Sequence, residues 1–158
     1  DIPSNGMRWN KSAYALTLTT MEILNDAKEK GYKNILIFED DIQLDPLFDL
    51  KAEEQLKYMP KNYDLLFLGM THTKTPIRHN AFFSKSVAGF SCHAYAVNAH
   101  MYDMYYSLLS KLDSPIDHKT NVILGSRLNS FCCAKNLIWQ KSGISDIEGG
   151  YYDVKFTQ

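Results

Sequence analysis

Long apolar runs, clusters of basic residues and paired cysteine motifs are all missing from this chain. No apolar stretch approaches the length needed to cross a bilayer, so no transmembrane segment is expected, and the first residues lack the layout of a secretory leader. No run of Lys and Arg interrupts a formal charge of −1. That argues against nucleic acid as a partner, because phosphate backbones are gripped by clustered cations. Cys92, Cys132 and Cys133 form no CxxC pair, so neither a disulfide framework nor a zinc site is expected. They read as small buried hydrophobes in a reducing compartment, which places the protein in the cytoplasm, free or peripheral to a membrane. Internal repeats, low-complexity tracts and linkers are absent too.

What is present is an ordinary globular composition, 45% hydrophobic and 22% charged over 158 residues, enough for one domain spanning residues 1–158 with a real core. Within it, Asn34-Ile35-Leu36-Ile37-Phe38 runs straight into Glu39-Asp40-Asp41. A short apolar run of this kind predicts a strand buried on both faces of a parallel sheet, and such strands deliver ligands at their carboxyl ends. In a chain still extended at the acids, Glu39 and Asp41 share one face and Asp40 takes the other. Mg²⁺ and Mn²⁺ take oxygen ligands from one or two carboxylates and fill their remaining positions with phosphate and water. Three adjacent like charges repel unless a cation offsets them. The triplet is therefore a candidate site for a metal–diphosphate, against the plainer reading of a solvated turn.

Along the rest of the chain, Asn10 is placed to cap a helix whose apolar positions Ala13, Leu16, Thr20, Ile23, Leu24 and Ala27 recur at helical spacing, closed by Gly31. Arg8, Lys11 and Ser12 at its mouth are candidates for holding an anion. Asp45-Pro46 opens a second helix, and Tyr63 to Gly69 forms a second short buried strand, together the size of a parallel crossover unit. His72 and His79 fall in a polar loop and read as surface histidines. Phe82 to Val87 reads as an edge strand. Gly89 to Val97 reads as a strand with small residues at Cys92, Ala94 and Ala96 along one face. Asn98 caps a third helix, and Asp117, past Pro115, is either a helix cap or a catalytic carboxylate. Phe131 to Trp139 is expected to be one last edge strand, followed by a polar, glycine-bearing tail.

The ordered set of Ile-Leu-Ile-Phe-Glu-Asp-Asp-Ile, Tyr-Asp-Leu-Leu-Phe-Leu-Gly, His93-Ala94-Tyr95-Ala96-Val97, Pro115-Ile116-Asp117 and Gln140 with Ser145-Asp146-Ile147 resembles glycosyltransferase family 25. That family includes lipooligosaccharide galactosyltransferases, enzymes of lipopolysaccharide biosynthesis, and the collagen galactosyltransferase domains. The resemblance covers roughly residues 10 to 148. It implies an α/β fold of the GT-A type, a sandwich with a mainly parallel central sheet, using Mn²⁺ or Mg²⁺ and a UDP-sugar, usually UDP-galactose, with inversion at the anomeric carbon. The acceptor is then a glycan or another hydroxyl. The family normally begins with a strand and loop that hold the nucleoside base, and nothing before Trp9 resembles them. Either the first strand is missing from this chain or base recognition is altered. The helix also lacks the family's Gly-Cys and Ser-His signature, with Tyr14-Ala15-Leu16-Thr17 in its place, and no histidine follows His118.

The chemistry assigns roles within that frame. A metal bridging the diphosphate acts as a Lewis acid on the leaving group. Asp41 is the expected direct ligand, joined by Glu39; Glu39 and Asp40 otherwise act through water or on the ribose. Asp117 is the first candidate for the base that deprotonates the acceptor, ahead of His93 and Asp146. His93 has the alternative reading of a satisfied strand histidine. Two other classes compete: a catalytically silent module of the same fold that binds sugar or protein, and a metal-dependent phosphohydrolase.

Overall fold

A computed structural model describes residues 10–125, 128–147 and 149–153. Arg8 lies outside the described residues. The chain opens on α1 (Lys11–Glu29), where the Asn10 side chain accepts the Ala13 N–H at 2.9 Å, and the helix closes as Gly31 takes a φ of +68° while the Tyr32 N–H returns to the Ala27 carbonyl. Both ends match the sequence expectation, since caps are local chemistry. The buried face is Ala13, Thr17, Thr20, Met21, Leu24 and Ala27; Ile23 points outward. Two hydroxyls sit in that stripe without penalty, because Thr17 and Thr20 each donate to the carbonyl one turn back.

The remaining elements are β1 (Asn34–Phe38), β2 (Ile42–Leu44), α2 (Phe48–Leu56), β3 (Leu65–His72), β4 (Ile77–Arg78), β5 (Phe83–Lys85), β6 (Gly89–Asn98), α3 (Tyr102–Leu109) after a 3₁₀ turn, α4 (Ile116–Gly125), β7 (Ser130–Cys133), β8 (Ile138–Gln140), β9 (Gly143–Ser145) and β10 (Gly150–Tyr152). Six strands form one sheet in the order β1-β6-β3-β7-β5-β4, and β2 with β8 and β9 with β10 form two small ribbons. The protein is thus mixed α/β.

Three expectations are corrected here. The sheet is mostly antiparallel: β3 with β7 is its parallel pair, and β1–β6, β6–β3, β7–β5 and β5–β4 all run antiparallel. The strand–helix–strand run from β1 through α2 to β3 does keep β1 and β3 pointing the same way, but β6 is inserted between them in reverse. Next, β1 is an edge strand, not one buried on both faces. Ile35 and Ile37 pack inward, while Leu36 and Phe38 remain 48% and 45% exposed. Finally, residues 131–139 make two strands, because the chain bends through 134–137; β7 lies inside the sheet and β8 leaves it to pair with β2.

Smaller differences have local causes. Asp45 turns the chain through its own side chain, accepting the Leu47 N–H at 2.8 Å, so α2 starts at Phe48. Asn98 makes no capping bond and faces His100 instead. His72 belongs to β3 and is half-buried, which pushes its pKa down, and His79 sets its ring edge against Phe131.

One face of the sheet is covered by α1, α3 and α4, joining Leu24, Phe67, Tyr95, Val97, Tyr105, Leu109 and Ile123 in one core. The other face packs Leu66, Ala94, Ala96, Phe131 and Ile138 against half-buried Phe48 and Ala52 of α2. Cys92, Cys132 and Cys133 are buried and unbridged, and burial pushes all three thiols up. No helix among the described residues is long and apolar enough to cross a membrane.

Candidate functional site

The carboxyl end of β1 is where the predicted residues meet. The Glu39 N–H donates to the His93 carbonyl at 2.9 Å, extending the β1–β6 ladder by one residue. The chain then turns at Asp40 and Asp41 before entering β2. Strand alternation therefore stops at Glu39, and the three acids occupy different surroundings.

Asp40 is exposed. Asp41 is half-buried and held by β8: Gln140 Nε2 donates to its Oδ2 at 2.8 Å, and the Lys141 N–H donates to its backbone carbonyl at 2.7 Å. Asp41 Oδ1 is buried with no protein partner. One oxygen is thus fixed and the other left over, and an unpaired carboxylate oxygen out of water is costly unless a ligand completes it. Glu39 keeps the inward direction of Ile35 and Ile37. Burial first, then the charges of Asp117, Asp41 and Asp40, push its pKa up to about 8.

Asp117 arrives from the first turn of α4. It caps nothing on its own helix. Its carboxylate reaches back to β6, where the Ser91 N–H donates to Oδ2 at 3.1 Å and the Cys92 N–H approaches Oδ1 at 3.5 Å. Those N–H groups are turned toward it by irregular backbone. The pairing of β3 with β6 slips around Gly69 and again before Thr71, and Ser91 has a φ of +54°, a left-handed conformation uncommon for a residue with a side chain. Strained bulges of this kind re-aim side chains next to functional sites.

His93 is joined to the acids through its backbone only. Its ring is 4% exposed, and Nε2 donates to the Ile138 carbonyl at 3.0 Å, which fixes the tautomer and leaves Nδ1 buried without a partner. The ring lies against Gly69, where a Cβ would fall 2.1 Å from the Ile138 carbonyl oxygen and 2.3 Å from His93 Nε2. Glycine is required there so that β8 can cross over β3. The ring is thus held through Nε2, and Nδ1 is left without a partner.

Lys11 is exposed and Ser12 half-buried at the start of α1. Asp146 is exposed, and its backbone carbonyl, like that of Ile147, accepts from Asn10 Nδ2 at 3.3 Å and 2.7 Å. The tail is therefore tied to the helix cap. Among the described residues no three His, Cys, Asp or Glu side chains converge to hold a metal ion alone. Asp41, with Glu39 beside it, fits the sparser arrangement in which substrate oxygens and water complete the coordination of Mg²⁺ or Mn²⁺.

Sequence reasoning did not find the clasp between Asp117 and the Ser91 and Cys92 N–H groups, nor the bond from Gln140 to Asp41. The second links residues 99 positions apart, and no local pattern marks it. A scan against protein-family models gives no match, and a search of curated proteins gives none either.

Proposed function

We propose that this chain is a metal-dependent glycosyltransferase domain of the GT-A type, moving a hexose, galactose by preference, from a UDP-sugar to a glycan hydroxyl with inversion. The observation that carries the reading is Asp41: a carboxylate at the end of a strand, oriented by Gln140 through one oxygen, with the other oxygen buried and unpaired. The strand arrangement is compatible with it, since β1 and β3 run the same way with β6 reversed between them. The resemblance to glycosyltransferase family 25 supplies the sugar and the stereochemistry.

Bound Mn²⁺ or Mg²⁺ would offset the charge that develops on the departing diphosphate. Asp41 and Glu39 would hold it, while exposed Asp40 reaches solvent and the ribose side. Asp117 is the carboxylate placed to take the proton of the acceptor hydroxyl, and the Ser91 and Cys92 N–H groups fix its direction. Burial and the neighbouring acids push the Glu39 pKa up to about 8 in the metal-free protein, and a bound cation would offset those like charges and favour the carboxylate that would hold it.

The test is transfer itself. UDP-galactose mixed with the protein, Mn²⁺ and an acceptor glycoside should release UDP and form a disaccharide, and Asp117→Asn should abolish the product while keeping UDP binding. A silent binding module of the same fold is favoured by the withdrawn ring of His93, and it predicts sugar or protein binding with no product. Release of phosphate from a phosphomonoester would instead point to a hydrolase.

A further inference from the structure

We propose that Phe90, backed by His118, is the platform on which the acceptor stacks, and that the acceptor is a pyranose presenting an apolar C–H face to that ring. This deepens the transferase reading and rests on it. Phe90 is 36% exposed although it lies in β6, a strand paired on both sides by β1 and β3, opposite Thr71. Its ring meets the His118 ring at a centroid distance of 5.7 Å and an angle of 46°. Each ring stands one residue from the clasp that holds the candidate base: Phe90 precedes Ser91, whose N–H binds Asp117, and His118 follows Asp117. Two aromatic rings and a carboxylate are therefore brought to one corner by the contacts between β6 and α4.

That combination suits a sugar. An aromatic face carries negative quadrupole charge and attracts the weakly positive C–H face of a pyranose, while the rim of hydroxyls requires acceptors and donors beside the ring. Asp117 supplies an acceptor, His118 can act as either, and Glu39 couples electrostatically to Asp117 from the β1 side. Phe38 is also exposed near the acids, but it alternates with inward-facing Ile37, so its side chain leaves β1 on the opposite face from Glu39. Phe90 is the aromatic residue that shares a corner with the base.

The experiment uses the intact chain without nucleotide or metal. Methyl β-D-galactopyranoside, methyl β-D-glucopyranoside and methyl α-D-mannopyranoside are titrated separately while the Phe90 and His118 ring resonances are followed by NMR. Saturable shifts confined to those rings are expected for at least one glycoside, with affinity falling about tenfold in Phe90→Ala and retained in Phe90→Tyr. No shift with any of the three, or equal affinity for wild type and Phe90→Ala, overturns the platform. UDP with Mn²⁺ is titrated in parallel on the wild type. Nucleotide binding without pyranoside shifts removes the platform and leaves the transferase reading standing. Pyranoside shifts without nucleotide binding keep the platform and remove the donor half of that reading.

Discussion

Asp64, just ahead of β3, and Asp41, just past β1, are both carboxylates at strand ends, yet the fold treats them in opposite ways. Asp64 accepts from the Asn129 N–H at 2.7 Å and from His100 Nε2 at 2.6 Å, and its own backbone pairs with both Asn98 and Asn129. Its side chain is 14% exposed, and every group near it has an answer. At the other end Asp41 leaves an oxygen buried and unpaired, and Glu39 is crowded until its pKa rises to about 8. The first cluster closes the structure between β3, β6 and β7. The second leaves Asp41 Oδ1 without a partner, which under the proposed function a metal ion would complete. A paired acid serves stability, whereas a buried carboxylate oxygen left unpaired is costly and is the basis of the proposed site.

Mutation can break that contrast directly. Asp64→Ala should cost about 1–2 kcal/mol in urea unfolding, because it removes the acceptor of the Asn129 N–H and the partner of His100 at once. Asp41→Asn should cost less than about 1 kcal/mol, since Asn has the shape of Asp and no charge to bury. Equal losses at the two positions would erase the distinction. Gly69→Ala should cost more, about 2–3 kcal/mol, by overpacking. Its new methyl would have to displace the Ile138 carbonyl and the His93 ring. The same unfolding curves would show it.

Glu39 sharpens the comparison through pH. Its pKa is raised from 4.5 to about 8 in the folded protein, so across that window the unfolded chain has lost the proton and the folded chain has kept it. Folded molecules then bind more protons, and stability must fall as pH rises, with the full penalty present above about pH 8. Glu39→Gln should therefore match the wild type near pH 4 and exceed it by about 2 kcal/mol near pH 9, after allowing for partial solvent screening. Unfolding midpoints at the two pH values decide it, and parallel pH profiles would contradict it. The smallest effect is His100→Ala, about 0.5–1 kcal/mol, because the ring that meets Asp64 is 55% exposed.

Legibility from sequence followed the range of the interactions. Asn10 and Gly31 bound α1 as read, since a cap needs only its neighbours. The four apolar residues of β1 announced a strand but not its place in the sheet. Edge or centre is decided by what pairs on the far side, and here nothing among the described residues does. The parallel sheet failed for the same reason: β1, α2 and β3 look like a crossover unit locally, and only the tertiary fold inserts β6 between the strands. In the site, the acids were visible as an unusual triplet and Asp117 as an acid behind a proline. Their division of roles was not, because Gln140, Ser91 and Cys92 act on them across long stretches of chain.

Calorimetric titration of UDP into the wild-type chain and into Asp41→Asn, each with and without Mn²⁺, addresses the account at its root. Binding that requires both the ion and the Asp41 carboxylate is the predicted result. Binding that ignores the ion, or that survives Asp41→Asn unchanged, would contradict the assignment of that unpaired oxygen to a metal–diphosphate.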